Sequence, residues 1–245
     1  TPLFPTGDIS NVENFKIRNL DNDAGDTKLT VDFATITGEK LVQNNLSTGA
    51  VKFDNLASGT DAEIIGNGAT TNGATEVDYV DATSAKLGFV GGTTGTAAVT
   101  TIGTKLTSQT FTSTGAANTI GALGIAATVT DVTIDATTKL TTGTITATKG
   151  ATLTVTGSGA VDLNSAALPA TFVTIDGSAS TGDIDLAAGA VAKQAAEADA
   201  AITIKTGSGN DEITTSAIAA DRHISINAGA GDDLIVTSSN GAGQV

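Results

Sequence analysis

An all-β fold, a right-handed parallel β-solenoid, is predicted by three observations on this 245-residue chain. Short runs alternate apolar and polar residues with period two, as half-buried strands do. These runs recur at spacings of roughly 8–12 residues, broken by Gly, Asn, Asp and Ser. Residues 202–213 are matched in type at 224–235, an offset of 22 residues. Sandwiches and barrels share the first two features, but only a solenoid wants equivalent strands and turns at one recurring offset, and one near 20–25 residues corresponds to a single coil.

The elements follow in order. NFKIRNL (14–20), KLTVDF (28–33) and AVKFDNL (50–56) open the chain as strands. The stretch TIGTKLTSQTFTSTGAANTIGALGIAATVT (101–130) has the composition of a low-complexity linker. Its alternation argues for strands, with their direction left open, since period two does not encode parallel or antiparallel pairing. Strands follow at Val132–Asp135, Thr144–Thr146, Leu153–Thr156, Val161–Leu163, Val173–Asp176 and Ile184–Leu186. AVAKQAAEADAA (190–201) reads as a short Ala-rich helix or loop inserted between coils. The last strands are Ile202–Lys205, Ile224–Asn227 and Leu234–Val236. At about 4.8 Å per coil, roughly ten coils give a rod about 50 Å long. With an aromatic content of 3% and no Trp, its core is expected to be thin and filled by small aliphatic and β-branched side chains.

Charge divides this rod. Residues 1–81 form an acidic β-strand-repeat segment with 13 Asp and Glu, 82–170 a Thr/Ala/Gly-rich segment with 3, and 171–245 a third segment with 10. The formal charge of −14 repels nucleic-acid backbones and anionic membrane surfaces, so neither nucleic-acid binding nor membrane insertion is expected. No apolar run reaches membrane-spanning length. The absence of Cys excludes disulfides, zinc–thiolate sites and thiol nucleophiles. Together with the absence of Met it suits a chain outside the cell. A start without Met and an end at NGAGQV suggest a mature product or a fragment.

The duplicated turns carry the chemistry. TGSGNDEIT (206–214) and AGAGDDLIV (228–236) each hold a Gly-x-Gly turn, an Asn or Asp, an Asp and then an apolar residue. Gly207, Gly209, Gly229 and Gly231 permit backbone angles that aim carbonyls at one point. Asn210, Asp211, Asp232 and Asp233 add side-chain oxygens on adjacent coils. Calcium prefers such hard oxygen ligands, and polar turns without metal are the alternative. Asp176 and Asp183 flank GSASTG just upstream and are candidates to cap the same stack. A second calcium loop is offered by Asp21, Asn22, Asp23 and Asp26, although Asp32 stands where an EF-hand loop has its twelfth-position Glu. A metal-free acidic turn is the favoured reading there. His223, the only histidine, sits beside Arg222 without a partner histidine and reads as a surface residue.

These residues resemble the repeats-in-toxin nonapeptide G-G-x-G-x-D-x-U-x, which winds into a calcium-binding β-roll. The match is Gly207, Gly209, Asp211 and Ile213, then Gly229, Gly231, Asp233 and Ile235, with Thr206 and Ala228 in place of the first family Gly. Family repeats run every nine residues; here 13 more separate the copies, which favours one or two isolated calcium sites over a continuous ladder. Upstream, ISNVENFKIRNL, KLTVDFATITGEKLVQNNLSTGAVKFDNL and FVTIDGSASTGDIDL look like the strand repeats of bacterial S-layer proteins and giant surface adhesins. The resemblance implies secretion through a one-step channel by way of a C-terminal signal, which this sequence does not display.

The expected function is that of an extracellular structural protein of a bacterial cell surface, with calcium-dependent folding and self-assembly into a sheet or fibre. Its partners are further copies of itself, with cell-surface polysaccharide as a second partner class. The alternative is an adhesin stalk or biofilm-matrix binding module. A polysaccharide lyase ranks third: two Arg, scattered Lys and few aromatic rings do not build its basic groove, no carboxylate pair is marked, and no G-x-S-x-G elbow accompanies His223. The chain is therefore not expected to be an enzyme.

Overall fold

The structure, a computed structural model, describes residues 9–21, 28–95, 97–188, 202–215 and 224–237. Every ladder between its strands is parallel, and the strands stack as a β-solenoid of about nine turns. No helix occurs among the described residues. The insert expected at 190–201 lies outside them, as do Asp23, Asp26, Arg222 and His223.

One sheet runs from end to end. Its ten strands are Asn14–Ile17, Leu41–Asn45, Asp61–Ile65, Ser84–Val90, Ser108–Thr114, Asp131–Ala136, Thr152–Gly157, Thr174–Ser180, Ile202–Lys205 and Ile224–Asn227. Successive strands pair at offsets of 20 to 29 residues, the longest being Thr174 with Thr203. The 22-residue offset read from the duplicate is the register itself: Ile202 pairs with Ile224 and Ile204 with Ile226. The Thr-rich middle, where strand direction was open, is parallel like the rest.

Two shorter sheets share the remaining faces. Leu29–Asp32, Val51–Leu56, Thr75–Tyr79, Val99–Ile102, Leu123–Gly124 and Ile145–Thr146 stack along the N-terminal part. Asn118–Ile120, Leu140–Thr142, Val161–Leu163, Ile184–Ala188, Glu212–Thr215 and Leu234–Thr237 stack along the C-terminal part. They overlap only near residues 118–146, so the coil has three strands per turn there and two elsewhere. A short ladder of Ile9–Ser10 with Ile36–Thr37 lies beside the first coil.

The core is a set of inward columns, one residue per coil. Val132, Leu153, Ile175, Ile204 and Ile226 form one by register. Aliphatic side chains dominate it, as composition implies, but the first coils are wider and take phenylalanines. Phe15, Phe33 and Phe53 meet edge to face at centroid distances of 5.2 and 6.2 Å, and Phe89 stacks on Phe111 at 6.1 Å.

Polar side chains enter the core where the path of the chain changes. Asn118 begins the third sheet and is 1% exposed. Its Oδ1 accepts from the amides of Gly92 (3.1 Å) and Thr93 (2.8 Å), and its Nδ2 donates to Phe89 O (3.1 Å), Ser113 Oγ (2.9 Å) and Ala116 O (2.9 Å). One amide thus satisfies backbone groups that the new sheet leaves outside its ladder.

Candidate metal centre

The duplicated turns lie directly above one another. Gly182, Gly209 and Gly231 form one column, and Ser180, Gly207 and Gly229 a second. A Cβ on Gly207 would come within 1.9 Å of Ser180 O, and one on Gly229 within 1.9 Å of Gly207 O. In the other column the approaches are 2.6 Å from Gly209 to Gly182 O and 2.1 Å from Gly231 to Gly209 O. Glycine is required because successive coils touch backbone to backbone. Left-handed backbone, the reason expected from sequence, holds only in the second copy, at Gly229 (φ 86°) and Gly231 (φ 131°); Gly207 and Gly209 lie outside that region.

This stacking brings together Asp183, Asn210, Asp211, Asp232 and Asp233, and it gives four of their oxygens a partner. Asp183 Oδ1 accepts from the Asn210 amide (2.7 Å), and Asn210 Oδ1 from the Asp232 amide (2.9 Å). In the neighbouring column Asp211 Oδ1 accepts from Ile184 N–H (2.7 Å), and Asp233 Oδ1 from Asp211 N–H (3.0 Å). The side chains therefore clamp three coils through charge-assisted bonds to amides that strand pairing does not reach.

Asp211 differs from the others. Extending the sheet register by one residue places it after Leu140, Val161 and Ile184 in an inward column. It is 2% exposed, and its Oδ2 is enclosed without a hydrogen-bond partner among the described residues. Asp183 and Asp233, by contrast, are exposed.

The other candidates stand apart. Asp176 Oδ1 accepts from its own loop, Ser178 Oγ (2.6 Å) and Ser178 N–H (3.0 Å), and these bonds hold its pKa below the usual carboxylate value. Asp21 is exposed in the first coil, where its amide donates to Asn19 Oδ1 (3.1 Å).

A stripe not anticipated from sequence lies on the outer face of the third sheet, where Asp162, Asp185 and Glu212 occupy one column on consecutive coils. Burial, followed by the charges of Asp162 and Glu212, raises the pKa of Asp185. The signal was hidden because residues 189–201 separate Asp185 from Glu212 and break the spacing.

Acidic residues near the N-terminus are compensated differently. Lys52 reaches Asp54 (3.2 Å), Glu76 (3.2 Å) and Asp78 (3.8 Å), and Lys28 also bonds Glu76. Burial opposes ionisation of Glu76, but hydrogen bonds from Lys28 and Lys52 outweigh it and keep its pKa low. Among the described residues, all ion pairs fall between Glu13 and Lys105. The carboxylates of the last three coils have none.

The donor set suits calcium in kind: an enclosed carboxylate oxygen on Asp211, the second oxygens of Asp183 and Asp233, and the main-chain carbonyls of two Gly-rich turns. No three acidic or histidine side chains converge on one point among the described residues. Main-chain carbonyls and water would thus have to complete the six to eight ligands that calcium takes. Comparison with protein-family models, with curated proteins and with solved structures found no match for this chain.

Proposed function

We propose that this solenoid is an extracellular structural protein of a bacterial surface layer or surface fibre, whose C-terminal coils bind calcium and become competent for self-assembly when they do. The observation that carries this reading is the enclosed, unpartnered Oδ2 of Asp211, within a stack of carboxylates that has no lysine or arginine to balance it. A buried carboxylate without a counter-charge is costly, and a divalent cation removes that cost. Asp211 and Asp233, with Asn210, Asp232 and Asp183 around them, would hold the ion together with turn carbonyls. The ion would supply charge compensation between coils. Where calcium is scarce the acidic coils repel one another and remain loose; where it is abundant, binding adds to folding free energy by mass action.

Assembly is supported by the last described coil. Leu234, Ile235 and Val236 are 54%, 44% and 42% exposed, and strand Leu234–Thr237 ends its sheet with an edge free of any further described strand. Such an edge is a template for another layer. The test is titration of the chain with calcium and its reversal with EGTA, followed by far-UV circular dichroism and light scattering. A reversible gain of β signal with growth in particle size is expected. A folded, monodisperse chain indifferent to calcium would overturn the proposal.

A further inference from the structure

A second site lies at the opposite end of the rod, and it does not depend on the calcium reading. Where the first three coils leave the second sheet, a cleft of about 430 Å³ opens, within the range of roughly 300–1,000 Å³ typical of small-molecule sites. Its apolar lining includes Phe33, Ile36 and Val80. Val80 is 44% exposed, whereas Phe33 and Ile36 belong to the core. The corner stays open because the chain is displaced there. The ladder between Val51–Leu56 and Thr75–Tyr79 shifts register after Phe53, and Asn55 (φ 61°) and Asp81 (φ 59°) turn in the left-handed region.

Two carboxylates line the cleft, Glu39 and Asp81. Asp81 is paired with Lys105. Glu39 is 7% exposed, and its Oε1 takes one long contact, 3.3 Å from the Ala57 amide. It has no lysine or arginine partner among the described residues. A carboxylate this enclosed ordinarily has a cation or several donors around it.

We propose that the cleft binds a small organic ammonium ion, whose charged head meets the Glu39 carboxylate while its alkyl or aryl body covers Phe33, Ile36 and Val80. Anions are disfavoured by Glu39 and Asp81. A bare metal ion lacks sufficient acidic ligands, since no group of three converges.

The probe is n-hexylammonium chloride, with hexan-1-ol and sodium hexanoate as matched neutral and anionic controls. Each is titrated into the ¹⁵N-labelled full chain, with amide shifts at Ala57, Ser58 and Val80 as the readout. Saturable shifts with hexylammonium are expected, at least about tenfold weaker response to hexanol, and a loss of about tenfold in affinity in Glu39→Gln, the scale of one charge-assisted contact. Because Glu39→Gln disturbs an enclosed position, Ala57→Leu serves as the second variant: Ala57 is exposed on the rim, and a larger side chain there should block the probe while the spectrum stays dispersed. Equal response to hexanol, unchanged affinity in a folded variant, or no saturation by the probe would overturn the proposal.

Discussion

Asp211 occupies a position that three preceding coils fill with Leu140, Val161 and Ile184, so its two oxygens can be separated by substitution. Asp211→Asn keeps an acceptor for the Ile184 amide and removes the charge. Its metal-free stability is expected to stay within about 1 kcal/mol of wild type while the calcium-dependent rise in melting temperature disappears. Asp211→Ala instead leaves the Ile184 N–H unsatisfied and should cost about 1–3 kcal/mol even without calcium. Melts of both variants in EGTA and in calcium separate the two roles. Asn118→Ala removes acceptor and donor together from the start of the third sheet, with an expected loss of about 2–4 kcal/mol in urea unfolding and no change in calcium response. Sequence marked Asp211 because its turn is written twice. It did not mark Asn118 or Glu39, whose importance comes from enclosure by residues on other coils.

The stacked columns set the pH response of individual elements. Asp185 has a raised pKa in the folded state, through burial first and its acidic neighbours second. A raised carboxylate pKa means that the folded state holds its proton more tightly than the unfolded chain. The resulting stabilisation is present below the ordinary aspartate range and is lost as pH rises through the raised folded value. Asp32 and Asp176 behave oppositely: hydrogen bonds lower their pKa, so their contribution is present at neutral pH and is lost as pH falls through the depressed value. Asp185→Asn should therefore stabilise the calcium-free protein at pH 7 by about 0.2–1 kcal/mol and leave it unchanged at pH 3, as read by urea midpoints. For the turns, Gly207→Ala places a methyl against Ser180 O, with an expected cost of about 2–3 kcal/mol in the same assay. The 22-residue register was legible because no insertion interrupts it, whereas the offset of 27 between Asp185 and Glu212 was not. The need for glycine was legible too, but its cause at Gly207 and Gly209, the approach of a neighbouring coil, exists only once the coils are stacked.

For the whole molecule, class and rhythm were readable from alternation and spacing, because every strand must place one face inward. Strand direction and the change from two to three strands per coil were not, since both depend on which distant run each strand joins. The net charge of −14 also acts at this scale. Raising NaCl from 0.01 to 0.1 M shortens the screening length from about 30 to about 10 Å, and should raise the melting temperature without calcium while shrinking the increment that calcium adds.

The parallel ladders also determine how the rod carries load. Hydrogen bonds between coils point along its axis, and the coils are connected in series, so tension applied to the two ends falls on one coil-to-coil seam at a time. A seam that opens frees the 20 to 29 residues of one coil, roughly 70–100 Å of extended chain. Pulled from its ends, the protein should lengthen in a staircase of such steps, absorbing work at each one, and a clamp across the last three coils would make those seams the last to open.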